Sequence, residues 1–332
     1  MPDDRDPRTN RSKDKTSRDR ELGLFCPITR RDLLQGVGIA VAGSMAALLV
    51  APLPTQLHAA PKVVQLQAER LNGLELEAFE PWPDSFVISG VSEHAEKELH
   101  RGEFVVSLYE AKPALLNINV PFTIDEFVWV LDGELTLTHV GGRSETYVAG
   151  DTLLVPKGFK GTWEMRGNYR ELVVIETRAN DSGDSLFKMA GLILVGLFRD
   201  TPEVLPLKAE QLKRVELQPV EPTAADLELT GGDRDAWQAV GTTRLYEGEI
   251  IVEVYASPPA VVEISAPFPY DEFVWMLDGE LVLTPVDGQA VTYGPGEAVL
   301  VPKGFLGTWE TRGNYRELII IEADAMERIH GE

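Results

Sequence analysis

The chain has 332 residues, 44% of them hydrophobic, with 53 acidic against 31 basic side chains and a formal net charge of −22. That length supports two domains of ordinary size, each able to bury its own core. The acidic excess repels nucleic acid and anionic lipid, so neither is expected as a partner, and the single cysteine, Cys26, excludes a disulfide framework.

Residues 1–60 read as a targeting segment rather than as part of a fold. A polar lead ends at Thr29-Arg30-Arg31-Asp32, and a Gly/Ala-rich apolar run from Gly36 to Ala51 follows, closed by Pro52, Pro54 and the small pair Ala59-Ala60. Paired arginines ahead of a weakly hydrophobic run resemble a twin-arginine export signal, with Arg30 and Arg31 as the recognised pair. The expectation is a periplasmic or otherwise extracytoplasmic protein delivered by the twin-arginine machinery. If the segment is not cleaved, its apolar run anchors the protein instead, although it is near the short limit for a bilayer span. Cleavage would remove 9 basic and 7 acidic residues together with Cys26, leaving a net charge of −24 and no thiol chemistry.

Beyond this segment the sequence says nearly the same thing twice. Pro121–Glu176 returns without a gap as Pro267–Glu322, 146 residues later and about two thirds identical. The register extends back to Leu99 and Leu245; further back LQAERL at Leu66 matches LKAEQL at Leu207 at an offset of 141, so the second copy carries five extra residues in between. A period this long means two duplicated domains, not a solenoid. Within each copy, runs rich in Thr, Val, Ile, Tyr, Phe and Trp alternate with turn signals such as Asp132-Gly133, Gly141-Gly142, Gly150-Asp151 and Lys157-Gly158. No helical period intervenes, so each copy is expected to be a barrel or jelly roll. Both alternating faces of Phe127–Leu131 are apolar, which predicts one face toward the barrel interior and the other against a second sheet or barrel. Between the copies, an apolar segment from Leu186 to Phe198 is too short for a comfortable membrane span and too apolar for a free linker.

Glu126 followed by Gly133 in EFVWVLDG, then Gly150-Asp151 leading to Pro156-Lys157-Gly158, resembles the two sequence motifs of the cupin superfamily; Glu272, Gly279, Gly296, Pro302 and Gly304 repeat them. The PKGFxGTWE and YREL segments are most similar to the subgroup that includes ureidoglycine aminohydrolase and the ethanolamine-utilisation cupin. The resemblance implies an all-β bicupin of two tandem jelly-roll (RmlC-like) barrels. Barrel 1 would occupy residues 61–180 and barrel 2 residues 207–326, with an apolar linker at 181–206 and a tail at 327–332.

The same resemblance implies where a metal would bind. Its histidines would fall at Asn119 and Pro121, or Val120 and Phe122, and at Gly161; in the second copy the positions are Ser265 and Pro267, or Ala266 and Phe268, and Gly307. None of these is a good ligand, so of the usual set only Glu126 and Glu272 survive, and one carboxylate does not hold a transition metal tightly. The histidines beyond residue 60, His94, His100, His139 and His330, have no histidine counterparts in the other copy. No metal and no cofactor is therefore called for.

What is duplicated instead is a polar and aromatic set. Glu126 and Glu272 are candidates for general acid or base, while Lys157, Trp163, Arg170, Lys303, Trp309 and Arg316 are candidates for ligand binding. If Gly161 faces the barrel interior, strand alternation puts Trp163 on the same face, over Glu126. A tryptophan wall with a carboxylate suits a small polar organic molecule such as a sugar, ureide or amine. Equally, Trp163 could fill the space of the lost metal site. The Asn168-Tyr169-Arg170-Glu171 stretch reads as a charged turn that maintains the fold. Three functions follow: a metal-free small-molecule binder, a ureide or amidine hydrolase or isomerase using the glutamates, and a scaffold whose apolar outer faces make a homo-oligomer.

Overall fold

A computed structural model describes residues 61–177 and 201–330. Arg30, Arg31, the rest of the export segment and most of the apolar linker lie outside the described residues. No described helix is long and apolar enough to cross a membrane.

Each repeat forms one antiparallel sheet built around two long strands, Glu126–His139 against Gly161–Glu176 in the first copy and Glu272–Pro285 against Gly307–Glu322 in the second. Phe104–Ala111 flanks the second strand of the pair in the first copy, and Ile250–Ala256 does so in the other. Thr152–Val155 and Ala298–Val301 flank the first strand of each pair. These runs are β-branched and aromatic, which suits a pleated surface covered on both sides.

Side-chain alternation sorts them into two kinds of core. Val128, Val130, Leu135 and Leu137 point into the first barrel, and Val274, Met276, Leu281 and Leu283 point into the second. Phe127, Trp129, Leu172 and Val174 point the other way and merge with Phe273, Trp275, Leu318 and Ile320 in a third core shared by both repeats. There Phe127 meets Phe273 at 5.2 Å between ring centroids, and Trp129 meets Trp275 at 6.4 Å. The predicted two-sided burial of Phe127–Leu131 is thus resolved as barrel interior on one side and the opposite barrel on the other.

The repeats also exchange their first strands. Val64–Leu66, from the first copy, pairs with Ala298–Leu300 of the second, while Leu205–Pro206, at the end of the linker, pairs with Leu153–Leu154 of the first. Leu66 and Leu71 on one arm and Leu207 and Leu212 on the other are buried in the shared core. Burial of these leucines is what the LQAERL and LKAEQL segments contribute. After the last strand of the second copy the helix Ala323–His330 follows and buries Ala325.

Asp132-Gly133 is not a turn between strands. Gly133 sits inside Glu126–His139 at a bulge, with φ +74°, and a Cβ there would come within 2.6 Å of the Arg166 carbonyl oxygen. Only glycine tolerates both the positive φ and the close backbone approach.

Candidate functional site

Each barrel encloses a cavity. The first is ≈ 430 Å³, and its wall carries five carboxyls, Glu77, Glu96, Glu98, Glu126 and Glu171, against one cation, Arg101. Arg101 is already paired with Glu98, at 3.0 Å from its Nε. Trp82, Tyr109 and Trp163 supply aromatic surface. Trp163 stacks on Phe122 with ring centroids 6.1 Å apart.

Glu126 begins its strand and is held between Val155 and Ile175 on the neighbouring strands. It is 4% exposed, and its Oε2 has no hydrogen-bond partner. Burial first, and then the nearby charges of Glu171 and Glu96, push its carboxyl well above the usual range. Glu171, 2% exposed, is pushed up to about 8 by burial, although Tyr169 donates a hydrogen bond from its hydroxyl to Oε2. Ser107, also buried on the cavity wall, has an unpartnered hydroxyl. A buried acceptor without a donor carries a substantial desolvation cost.

The second cavity is ≈ 210 Å³ and holds Glu253, Glu272 and Glu317 beside Tyr255, Tyr270 and Trp309. Glu272 is pushed up to about 8 by burial and then by Glu253; Glu317 is driven well above the carboxylate range by burial and then by Glu272. Its wall includes Asp226 and Leu229 of the helix Ala224–Leu229, and Trp237 of the 3₁₀ turn Asp235–Trp237. These elements lie in the stretch where the second copy is five residues longer, whereas the first copy has the strand Val87–Gly90 there.

The four cationic candidates do not join the cavities. Lys157 lies in the turn after Val155, donates its backbone N–H to Asp125 at 2.8 Å and pairs its ammonium with Glu249 of the other repeat. Lys303 does the same with Asp271 and Glu103, both at 2.8 Å. Arg170 reaches the Leu71 and Leu74 carbonyls at 2.7 Å and pairs with Glu110, while Arg316 donates to the Val215 carbonyl. Alternation explains the correction. Tyr169, Glu171, Val173 and Ile175 share one face, so Arg170 must point to the opposite side. Glu171 lines the cavity although its sequence setting reads as a fold-maintaining turn, and the signal that could have found it is that alternation.

The metal set that the cupin resemblance implies does not fit. A Cβ on Gly161 would lie 2.0 Å from the Thr138 carbonyl oxygen, and one on Gly307 would lie 2.1 Å from that of Thr284, so this backbone leaves no room for a histidine at either place. Among the described residues no group of three or more His, Cys, Asp or Glu side chains is arranged to hold a metal ion. The histidines are engaged elsewhere: His94 stacks on Trp82 at 4.6 Å, His100 bonds Asp271, and His139 bonds Thr201. The side chain of His330 lies outside the described residues.

Residues 100–170 and 260–316 match the EutQ-like cupin domain family, one match per repeat. The chain is a bicupin. Its solved structural neighbours include a protein of unknown function from Pseudomonas syringae pv. tomato, 17% identical with a TM-score of 0.54, covering 79% of this bicupin and 99% of that chain. A cupin 2 conserved barrel domain protein from Leptotrichia buccalis is 15% identical, with a TM-score of 0.43 over 75% of the bicupin and 100% of the neighbour. A salicylate 1,2-dioxygenase from Pseudoaminobacter salicylatoxidans is 12% identical, with a TM-score of 0.43 over 82% and 86%. At 17% identity the first of these likenesses speaks for the fold alone. No curated protein matches the bicupin.

Proposed function

We propose that this bicupin is an exported protein whose first barrel binds a small polar organic molecule without a transition metal. The observation that carries the reading is Glu126: a buried carboxyl with an unpartnered oxygen on the wall of a ≈ 430 Å³ cavity that Trp82, Tyr109 and Trp163 also line. Enclosed volume, apolar walls and a few unsatisfied polar groups are what small-molecule sites consist of. The glycines at the expected histidine positions support the metal-free part, and Arg30-Arg31 before an apolar run supports export. The test is native mass spectrometry, with elemental analysis, of protein purified from its own compartment. A retained organic molecule without stoichiometric metal is the expected result. One metal per barrel, lost on mutating Glu126 or Glu272, overturns it.

A second reading is favoured by one observation. Glu126 and Glu171 face the same cavity and both resist ionisation, so one can hold a proton while the other accepts one. That is the equipment of a general acid–base pair for hydrolysis or isomerisation of a ureide or amidine. Turnover of a bound ligand, abolished in Glu126→Gln and in Glu171→Gln, would establish the enzyme over the binder.

A further inference from the structure

The two repeats place different residues at one equivalent cross-strand position, and the difference identifies what the first cavity lacks. In the second barrel Arg244 lies opposite Glu253 on paired strands. The Arg244 Nε donates to Glu253 Oε1 at 2.8 Å and Thr242 donates to Oε2 at 3.1 Å, so this carboxylate of the second cavity is neutralised from within the chain. In the first barrel the matching pair, in the same register, is Glu98 opposite Ser107. The guanidinium has become a carboxylate. Glu96 replaces Thr242 beside it, opposite Tyr109 as Thr242 is opposite Tyr255.

Both cavities are acidic, but the first has Glu98 and Ser107 where the second barrel has the Arg244–Glu253 pair, and its own Arg101 is taken up by Glu98. Two buried polar groups on its wall, Glu126 Oε2 and Ser107 Oγ, stand without partners. Trp82, Tyr109 and Trp163 offer ring faces to a positive charge. Its volume is twice that of the second cavity, which is enough for a molecule of several heavy atoms.

We infer that the ligand of the first barrel is a small organic cation bearing N–H donors, of the amine, amidinium or guanidinium class, standing where Arg244 stands in the second barrel. This rests on the binding reading above and narrows it to one chemical class. The cation displaces the proton that burial otherwise keeps on Glu126, so that its charge is met by Glu96 and Glu126; its N–H groups donate to Glu126 Oε2 and Ser107 Oγ, and the carbon skeleton lies against the aromatic rings. In the second barrel Glu253 already holds a guanidinium, so that carboxylate is taken before such a ligand arrives.

Isothermal titration with three probes of similar size tests this: methylguanidine as the cation, methylurea as the neutral analogue and acetate as the anion. The expected result is binding of methylguanidine at least about tenfold tighter than methylurea, with no binding of acetate; a tenfold difference corresponds to about 1.4 kcal/mol. Glu126→Gln should weaken the cation by a similar factor. The double variant Glu98→Arg/Ser107→Glu installs the second barrel's ion pair in the first, and it should abolish methylguanidine binding while the thermal midpoint holds or rises. Equal binding of methylurea and methylguanidine, or preference for acetate, overturns the cation class and leaves the binding reading standing. No binding of any probe, with native mass spectrometry showing no retained molecule, overturns both.

Discussion

Tyr246 of the second repeat donates its hydroxyl to Asp125 of the first at 2.7 Å, and at the equivalent place on the other side His100 lies 2.9 Å from Asp271. Each aspartate also accepts backbone N–H groups: Lys157 and Glu249 bond Asp125, and Lys303 and Glu103 bond Asp271. Both stand immediately before a cavity glutamate, Glu126 or Glu272, so the contacts that join the barrels also fix the first residue of each site. Replacing Asp125 with alanine strands a tyrosine hydroxyl and two amides, and should cost about 3 kcal/mol or more. Urea unfolding of Asp125→Ala and Asp271→Ala measures it; losses below about 1 kcal/mol for both would show that the barrels are held by their apolar contact alone.

The Asp271 latch responds to acid. Burial alone would raise the Asp271 carboxyl, but the bonds from His100, the Lys303 amide and the Glu103 amide outweigh it and hold the group below its ordinary value. A depressed carboxyl contributes stability that is present above its unfolded value of about 3.9 and is lost as pH falls through the folded value. Thermal midpoints of the wild type should drop more steeply below about pH 4 than those of Asp271→Asn. Parallel curves would remove the latch from the account of acid unfolding.

The cavity glutamates act with the opposite sign. Glu272 is raised to about 8, so its contribution is complete below the unfolded value near 4.3 and is lost as pH rises toward 8. Glu272→Gln, which needs no proton to stay neutral, should be relatively more stable at pH 8 than at pH 5, with the midpoint gap between variant and wild type widening by about 2 °C or more. A constant gap would show that Glu272 ionises normally.

The proposed export rests on Arg30 and Arg31, which lie outside the described residues. With Arg30→Lys and Arg31→Lys together, the chain should remain in the cytoplasm with its leader attached. Fractionation and an intact-mass measurement read this directly, and normal export of the double variant would show the segment to be an ordinary anchor or a signal of another kind.

The barrels were legible because hydrophobic alternation and the duplicated motifs are local signals, and Phe127–Leu131 even declared its two covered faces. The strand exchange was not, since nothing local in LQAERL says which of two nearly identical sheets Leu66 will pair with. The site was half legible. Glu126 and Trp163 line one cavity, but charge is what singles out Lys157 and Arg170, and charge alone does not give direction. Lys157 sits in a turn that faces the other repeat, and Arg170 lies one residue out of phase with Glu171, whose neighbours Tyr169 and Val173 mark the inward face.

The tryptophans offer the sharpest comparison between the two cavities. Trp163 is 6% exposed and stacked on Phe122, while Trp309, stacked on Phe268 at 5.9 Å, is only partly buried. Truncating a fully packed indole costs about 3 to 5 kcal/mol, through lost transfer energy and the void left behind. Each ring already borders a cavity, so part of that void exists before the mutation, and the cost should fall at or below the lower end of this range. Trp163→Ala should therefore lose about 3 kcal/mol and Trp309→Ala distinctly less. The cation test adds a second axis: Trp163→Ala should weaken methylguanidine binding severalfold, whereas Trp309→Ala should not change it. Equal losses of 4 to 5 kcal/mol for both variants would mean that the rings are ordinary core. Unchanged methylguanidine affinity in Trp163→Ala would mean that the cation does not sit against this ring.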